Sequence, residues 1–447
     1  MTTSPFATRG VVEGFYGPPY TFPERDGLIA FLGRHGFNYY LYGPKNDREH
    51  RNRWREPYPA AVLARFASTV AAASRAGVRF CYALAPSVSI RYADERDFAL
   101  ICAKFGALYD VGVRDFCIFF DDINPALADE LDRTAFASPA EAHAAVTNRA
   151  RDWLLARDPA CTLSMVPTDY YGVAPFSPYL HELGERLHPA IDIFYTGPDV
   201  CAATIGVAET RDFATAVRRP PIIWDNYPVN DLAMRPQLHI GPLRGRAPEL
   251  HTVTRGFVAN PMLQAEASRV PLATVAAYLA DPHGYEPWQA WERAIAEAAG
   301  ESAPALRAFA DCSLRSPLGG PDAPRLEPLV AAALAALRAG EPPTACPALD
   351  ALEAAIFALD DASYRLKNRM ENLALRAELL PWIEALDCWY DAGWRAIAAL
   401  RAAEGGEPTA RLLRMMREYY AEALAHHKRY GGRVLAPLVE YALERVG

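Results

Sequence analysis

The chain has 447 residues, 51% hydrophobic and 22% charged, enough for large buried cores and for about two domains. A net charge of −8 argues against a nucleic-acid or anionic-membrane partner. Eight cysteines show no CxxC or CxxH spacing, and several, such as Cys81 and Cys117, sit inside apolar runs; they read as reduced, buried thiols, not a disulfide framework or zinc site. The opening MTTSPFATRGVVEG has no apolar signal core and no basic leader. No window is apolar for long enough to span a bilayer. The expectation is a soluble, cytoplasmic protein.

From residue 8 to about 283, two textures alternate. Short β-branched and aromatic runs precede longer Ala/Leu/Arg/Glu segments with helical spacing. The strand candidates, each with its trailing loop residues, are TRGVVEGFYG, FNYYLYGPKND, VRFCYALAPS, DFCIFFDDI, CTLSMVPTDYYG, IDIFYTGPD, PIIWDNYPVND and GFVANPM. Helices are predicted between most of them, at 60–76, 96–111, 140–156 and 178–187. Eight strand–helix repeats in succession predict an α/β fold, a closed (β/α)8 TIM barrel. An open doubly wound sheet would show fewer strands and a Gly-rich phosphate turn, and no strand here leads into such a turn.

Near Tyr285 the texture changes. Segments 326–338, 346–380, 382–403 and 409–445 are rich in Ala, Leu, Arg and Glu, and are separated by SPLGGPDAPR, AGEPPTACP and EGGEP. They predict an all-α helical bundle after the barrel, with domains 1–284 and 285–447. The pair His426-His427 is placed in a helix, where neighbours point apart, and is read as surface polarity and not metal ligation.

A barrel places its active site where strands end at their C-terminal face. Polar and aromatic residues gather there: Glu13-Gly14-Phe15-Tyr16-Gly17, Lys45-Asn46-Asp47, Asp121-Asp122, Asp169-Tyr170-Tyr171, Thr196-Gly197, Trp224-Asp225-Asn226 with Asp231, and Asn260. Carboxylates, amides and aromatics together suit a neutral, hydroxyl-rich ligand such as a sugar. Each residue also has a plainer reading. Adjacent aspartates serve as helix caps, Lys45 belongs to a charged loop, Trp224 packs a barrel, Tyr170 and Tyr171 are half-buried loop aromatics, and Gly14, Asn226, Asp231 and Asn260 make turns. Their joint placement at one face favours a site. A metal-dependent hydrolase would want His ligands at strand ends, and none of the eight ends carries one.

The stretches GVVEGFYG, YLYGPKND with WREPY, FFDDI, TGP, IWDN with ND, GPLRGR and ANP, in unbroken order from about residue 9 to 278, resemble glycoside hydrolase family 84, the O-GlcNAcase family of β-N-acetylglucosaminidases. The later helical region resembles that family's bundle in texture only. The resemblance implies a retaining exo-glycosidase without cofactor or metal, in which the sugar's own 2-acetamido oxygen attacks the anomeric carbon and forms an oxazoline. It implies that Asp121 polarises the acetamido group and that Asp122 is the general acid and then base, their repulsion keeping one protonated while the other ionises. Tyr170 would bond the acetamide oxygen. Gly14 (through its carbonyl), Lys45, Asn226, Asp231 and Asn260 would hold the hydroxyls and acetamide, and Thr196, Val200 and Trp224 would line the acetamide pocket. The implied substrates are GlcNAc-bearing glycosides, including O-GlcNAc on Ser or Thr of proteins, and a homodimer through the helical region is a further implication. Two readings stay open beside it: an intracellular hexosaminidase acting on glycan or cell-wall fragments, and a non-catalytic GlcNAc-binding barrel.

Overall fold

The computed structural model describes residues 4–447. Eight strands form: β1 (Thr8–Glu13), β2 (Tyr39–Tyr42), β3 (Arg79–Leu84), β4 (Asp115–Phe119), β5 (Thr162–Val166), β6 (Asp192–Tyr195), β7 (Ile222–Asp225) and β8 (Gly256–Ala259). Each runs parallel to the next, and β8 returns to β1 with Thr8 opposite Gly256 and Val11 opposite Ala259, so the sheet closes into a (β/α)8 barrel. Alternate residues fill its interior: Tyr39 and Leu41, Cys81 and Ala83, Cys117 and Phe119, Ile222 and Trp224. That two-residue period is strand geometry, and it explains why thiols of the apolar runs end in the core. Phe119 and Phe194 meet the Trp224 ring edge-on at 5.5 and 5.9 Å, which makes an aromatic plug near the C-terminal end of the barrel.

Several strand-end carboxylates are consumed by the scaffold. Glu13 receives two bonds from Arg25, at 2.7 and 2.9 Å, a third from the Tyr40 hydroxyl at 2.5 Å, and the Tyr20 amide at 2.9 Å. Asp47 accepts the hydroxyls of Tyr42 and Tyr58, both at 2.6 Å. Asp225 is clamped by Arg246 at 2.7 and 2.5 Å, with both side chains 1% exposed. Arg246 also reaches the carbonyls of Ala202 and Ala203, so one buried guanidinium ties two loops to the end of β7. Buried charges need such full pairing, because an unpaired one loses its hydration with no return.

The chain divides into two compact units, one of Met1–Leu232, Leu243–Ser268 and Leu272–Pro287, the other of Ala233–Pro242, Arg269–Pro271 and Trp288–Gly447. The second is helical, and it includes two short pieces from inside the barrel sequence. The reason is local hydrogen bonding: the Pro236 carbonyl accepts from the Trp382 indole at 2.9 Å and the Arg429 amide at 2.8 Å, and the Ile240 carbonyl accepts from the Trp291 indole at 2.7 Å.

The helix boundaries there differ from the sequence expectation in two places. The sequence predicts a break at Pro381, but Leu373–Glu404 is one helix with Pro381 inside it. An interior proline costs a helix about 3 kcal/mol. Leu379, Trp382, Ile383 and Leu386 flank it, all fully buried, and their burial at roughly 1.5–3 kcal/mol each outweighs that loss. The real start is at Asn372, whose side chain accepts the Leu375 amide at 3.1 Å. The expected segment 409–445 is two helices, Ala410–Ala425 and Ala436–Val446, interrupted where Gly431 takes a left-handed φ of 59°. No helix among the described residues is long and apolar enough to cross a membrane.

Replacing Arg246 by Met should lower stability by about 3–5 kcal/mol, since Asp225 is left charged and buried. Urea unfolding would read this, and Asp225→Leu added to Arg246→Met should recover most of the loss.

Candidate active site

Two consecutive side chains on an extended strand point to opposite faces. Asp121 and Asp122 nevertheless line one pocket. β4 has ended at Phe119, and Asp122 adopts φ 55°, a left-handed conformation unusual for a non-glycine residue. Such backbone costs of order 1–3 kcal/mol and persists where surrounding contacts overdetermine it. Here they do. The Tyr16 hydroxyl donates to Asp122 Oδ2 at 2.7 Å and the Tyr170 hydroxyl to Oδ1 at 3.0 Å, while Lys45 Nζ lies 3.7 Å away.

Lys45 is itself buried, with its ammonium over the Phe119 ring at 5.0 Å. It donates to Asp121 Oδ2. The other oxygen, Asp121 Oδ1, is buried and has no hydrogen-bond partner among the described residues. A buried acceptor left unsatisfied typically costs about 1–3 kcal/mol, so this atom is set up to receive a donor from a ligand.

The opposite wall is a fixed amide array. Asn226 Oδ1 accepts from the Trp224 indole at 2.8 Å and from Asn260 Nδ2 at 2.9 Å, while Asn226 Nδ2 donates to the Val200 carbonyl at 2.7 Å. Asn260 Oδ1 accepts the Gly14 amide at 3.3 Å. Gly14 must be glycine, because a Cβ there would stand 2.4 Å from the Trp224 ring. Asp231 accepts the Tyr16 amide at 2.7 Å and so holds the residue that braces Asp122. Thr196 spends its hydroxyl on the Asp199 carbonyl, 3.0 Å away, which shapes the 196–200 loop.

All eleven residues expected at the site, namely Gly14, Lys45, Asp121, Asp122, Tyr170, Thr196, Val200, Trp224, Asn226, Asp231 and Asn260, line one cavity of about 120 Å³. Tyr16, Val166, Phe194, Cys201, Val229 and Leu232 also line it and were not among them. Tyr16 had a signal, since it belongs to the GFYG run at the end of β1; Val166 and Phe194 are strand residues of β5 and β6, and Cys201, Val229 and Leu232 are ordinary loop residues with none. The remaining strand-end carboxylates, Glu13, Asp47, Asp169 and Asp225, are absent from the lining, having been taken up by the scaffold.

Burial pushes the Asp122 carboxyl up, but Lys45, the two tyrosine hydroxyls and Arg51 together outweigh it and hold the group below the ordinary aspartate value. These contacts favour the charged form of Asp122 in the unliganded pocket. Burial and the two aspartates raise the Tyr170 hydroxyl, which stays a proton donor. The stability that Asp122 gains from these partners is present above its ordinary pKa and is lost as pH falls through the lowered one.

Adjacent carboxyls, an unsatisfied acceptor and a rigid amide wall at the C-terminal mouth of a (β/α)8 barrel are the equipment of a glycoside hydrolase. Residues 9–311 match the family model described as β-N-acetylglucosaminidase. The rat and mouse proteins named Protein O-GlcNAcase are each 34% identical over 274 residues, 60% of this chain; the match spans only 29% of their own length. Among solved structures, a mutant of the Thermobaculum terrenum O-GlcNAc hydrolase superposes with a TM-score of 0.93 at 32% identity, covering 98% of this chain and 94% of the other. The chain belongs to the β-N-acetylglucosaminidases of glycoside hydrolase family 84.

Two outcomes test this geometry. Tyr16→Phe removes a bond that favours the charged form of Asp122, so its pKa should rise, visible as a shift of the carboxyl 13C titration to higher pH. Gly14→Ala should force the Trp224 ring aside and lower kcat/KM roughly 10²-fold on any substrate that fills the pocket, with melting temperature as the control for folding.

Proposed function

We propose that the protein is a retaining exo-β-N-acetylglucosaminidase that uses substrate-assisted catalysis and removes O-GlcNAc from Ser or Thr of proteins. The observation that carries this reading is the unpartnered Oδ1 of Asp121 beside a second carboxyl. A two-carboxyl retaining mechanism needs its groups on opposite sides of the bond, about 5–5.5 Å apart, with one as nucleophile. Neighbouring aspartates suit a different division. Asp121 accepts the acetamido N–H at Oδ1, which raises the nucleophilicity of the acetamide oxygen. That oxygen attacks the anomeric carbon as the glycosidic C–O bond breaks, and Asp122 gives its proton to the departing oxygen. Asp122 then takes a proton from water as the water opens the oxazoline, and the enzyme is restored with the β configuration retained.

The depressed pKa of Asp122 makes substrate binding part of the acid's activation. A sugar that fills the pocket excludes water, and the Tyr170 hydroxyl turns its hydrogen bond from Asp122 to the acetamide oxygen. Both changes favour the protonated form. Lys45 stays on Asp121 and keeps that partner charged.

Protein O-GlcNAc as the substrate is supported by the names of the rat, mouse and Thermobaculum relatives. A cytoplasmic setting is supported by eight free cysteines, six of them buried. Pairing of two copies through the helical unit is supported by Phe357 and Tyr364, seven residues apart on one helix and 49% and 53% exposed.

Hydrolysis of a fluorogenic β-N-acetylglucosaminide in the presence of chelator is the direct assay. Asp122→Asn should lose about 10²–10⁴-fold on a poor leaving group such as a serine-linked GlcNAc peptide, and markedly less on an aryl glycoside whose leaving group needs no proton. Equal losses on both would remove Asp122 as the acid. Asp121→Asn should impair both substrates alike, and near-normal activity would end the substrate-assisted reading. Binding of the sugar without turnover by folded wild-type protein would favour the non-catalytic barrel.

A further inference from the structure

The helical unit contains a second cavity, of about 620 Å³, that the glycosidase site does not use. Its lining carries Arg315, His426, His427, Lys428, Arg429 and Arg433, against a single acidic residue, Asp322. In a chain whose net charge is −8, four Arg and Lys side chains, Arg315, Lys428, Arg429 and Arg433, face one carboxylate here. Asp322 is engaged with Arg315 at 3.4 Å, whereas Arg429 and Arg433 make no ion pair among the described residues.

The segment that supplies most of these groups, 426–433, is the interruption between the last two helices. The sequence predicts it to be helical, with His426 and His427 pointing apart. Instead the helix ends at Ala425 and the two imidazoles stack at 4.8 Å, 28° between planes. The segment is anchored from below. The Arg429 amide bonds the Pro236 carbonyl, Lys428 Nζ bonds the Arg235 carbonyl at 3.0 Å and lies over the Trp382 ring at 4.2 Å, the Gly431 amide bonds the Cys312 carbonyl, and the Tyr430 hydroxyl bonds the Phe309 carbonyl at 3.0 Å. The backbone is thus fixed while the guanidinium groups of Arg429 and Arg433 are uncommitted to any carboxylate. Burial and the nearby Arg235 hold the Lys428 ammonium below its ordinary value, as a local excess of positive charge requires.

Two further features give the cavity a character beyond charge. Ser313 lies on its wall, and its buried Oγ has no hydrogen-bond partner among the described residues. Trp389, Leu238 and Tyr430 supply an apolar and aromatic side opposite in chemistry to the arginines. Guanidinium forks match phosphate oxygens in pairs, and an aromatic wall takes a ring.

We propose that this cavity binds an organic phosphate monoester, its phosphate held by Arg429, Arg433 and the histidine pair and its ring or apolar part against Trp389. The shared chemistry covers nucleotides and sugar phosphates, which the probes separate.

The test uses the full chain and isothermal titration with inorganic phosphate, glucose 6-phosphate and adenosine monophosphate at two salt concentrations. At least one organic phosphate should bind at one site per chain, tighter than inorganic phosphate and more weakly at higher salt. Arg429→Ala with Arg433→Ala should weaken it about tenfold or more while aryl-glycoside hydrolysis stays unchanged, since neither residue belongs to the catalytic pocket. His427→Ala, which removes no buried contact, should weaken it less and serves as the second variant if the double one fails to fold. No saturable binding of any probe overturns the proposal, as does binding that survives both variants. If phosphates fail and sedimentation shows a dimer that the double variant dissociates, the cavity is instead a contact between copies.

Discussion

Everything at the catalytic mouth depends on one backbone constraint. Consecutive residues of an extended strand cannot face the same pocket, and two aspartates must do so here. The left-handed turn at Asp122 resolves the conflict, and Lys45 makes the result tolerable by lying within reach of both carboxylates. Each half supports the other. Without the ammonium the paired charges would repel and one would neutralise, and without the turn Lys45 would have only Asp121 to hold. Tyr16 and Tyr170 complete the arrangement from the ends of β1 and β5, so the strained residue is braced from both sides.

Around that centre, the same residue types divide sharply by how fully they are satisfied. Glu13, Asp47 and Asp225 sit at strand ends as Asp121 does, yet each is saturated by arginine, tyrosine or amide donors. They hold the rim of the barrel rigid. Asn226 and Asn260 are fixed by each other and by Trp224, so the amide wall is set before any ligand arrives. Asp121 alone of these four carboxylates retains a buried oxygen without a donor. With its neighbours already paired, that unmet acceptor offers a ligand's donor one fixed point.

The electrostatic state of the pocket arises from the same contacts. Donors that stabilise a strained aspartate also favour its charged form, so the contacts that preorganise Asp122 lower its pKa.

The barrel was legible in the sequence because eight short apolar runs alternate with helical spacing, and burial on both faces of a parallel strand leaves that texture. Most pocket residues were legible for a related reason, since they stand where a predicted strand stops and barrel topology brings those ends together; Val200 was legible only through the resemblance to family 84. What each polar residue does there was not legible. Glu13 and Asp121 look alike along the chain, and only their partners from β2 and from 12 or more residues away separate scaffold from site. The helical unit shows the same limit from the other side. Pro381 reads as a helix end by its own chemistry, but buried neighbours carry the helix through it, and the true breaks fall at Asn372 and 426–435. The sequence by itself determined the elements and their order, because local propensity and periodicity are written residue by residue. The tertiary structure decided which charges are spent and which are left over, because that depends on groups far apart in the chain meeting in space.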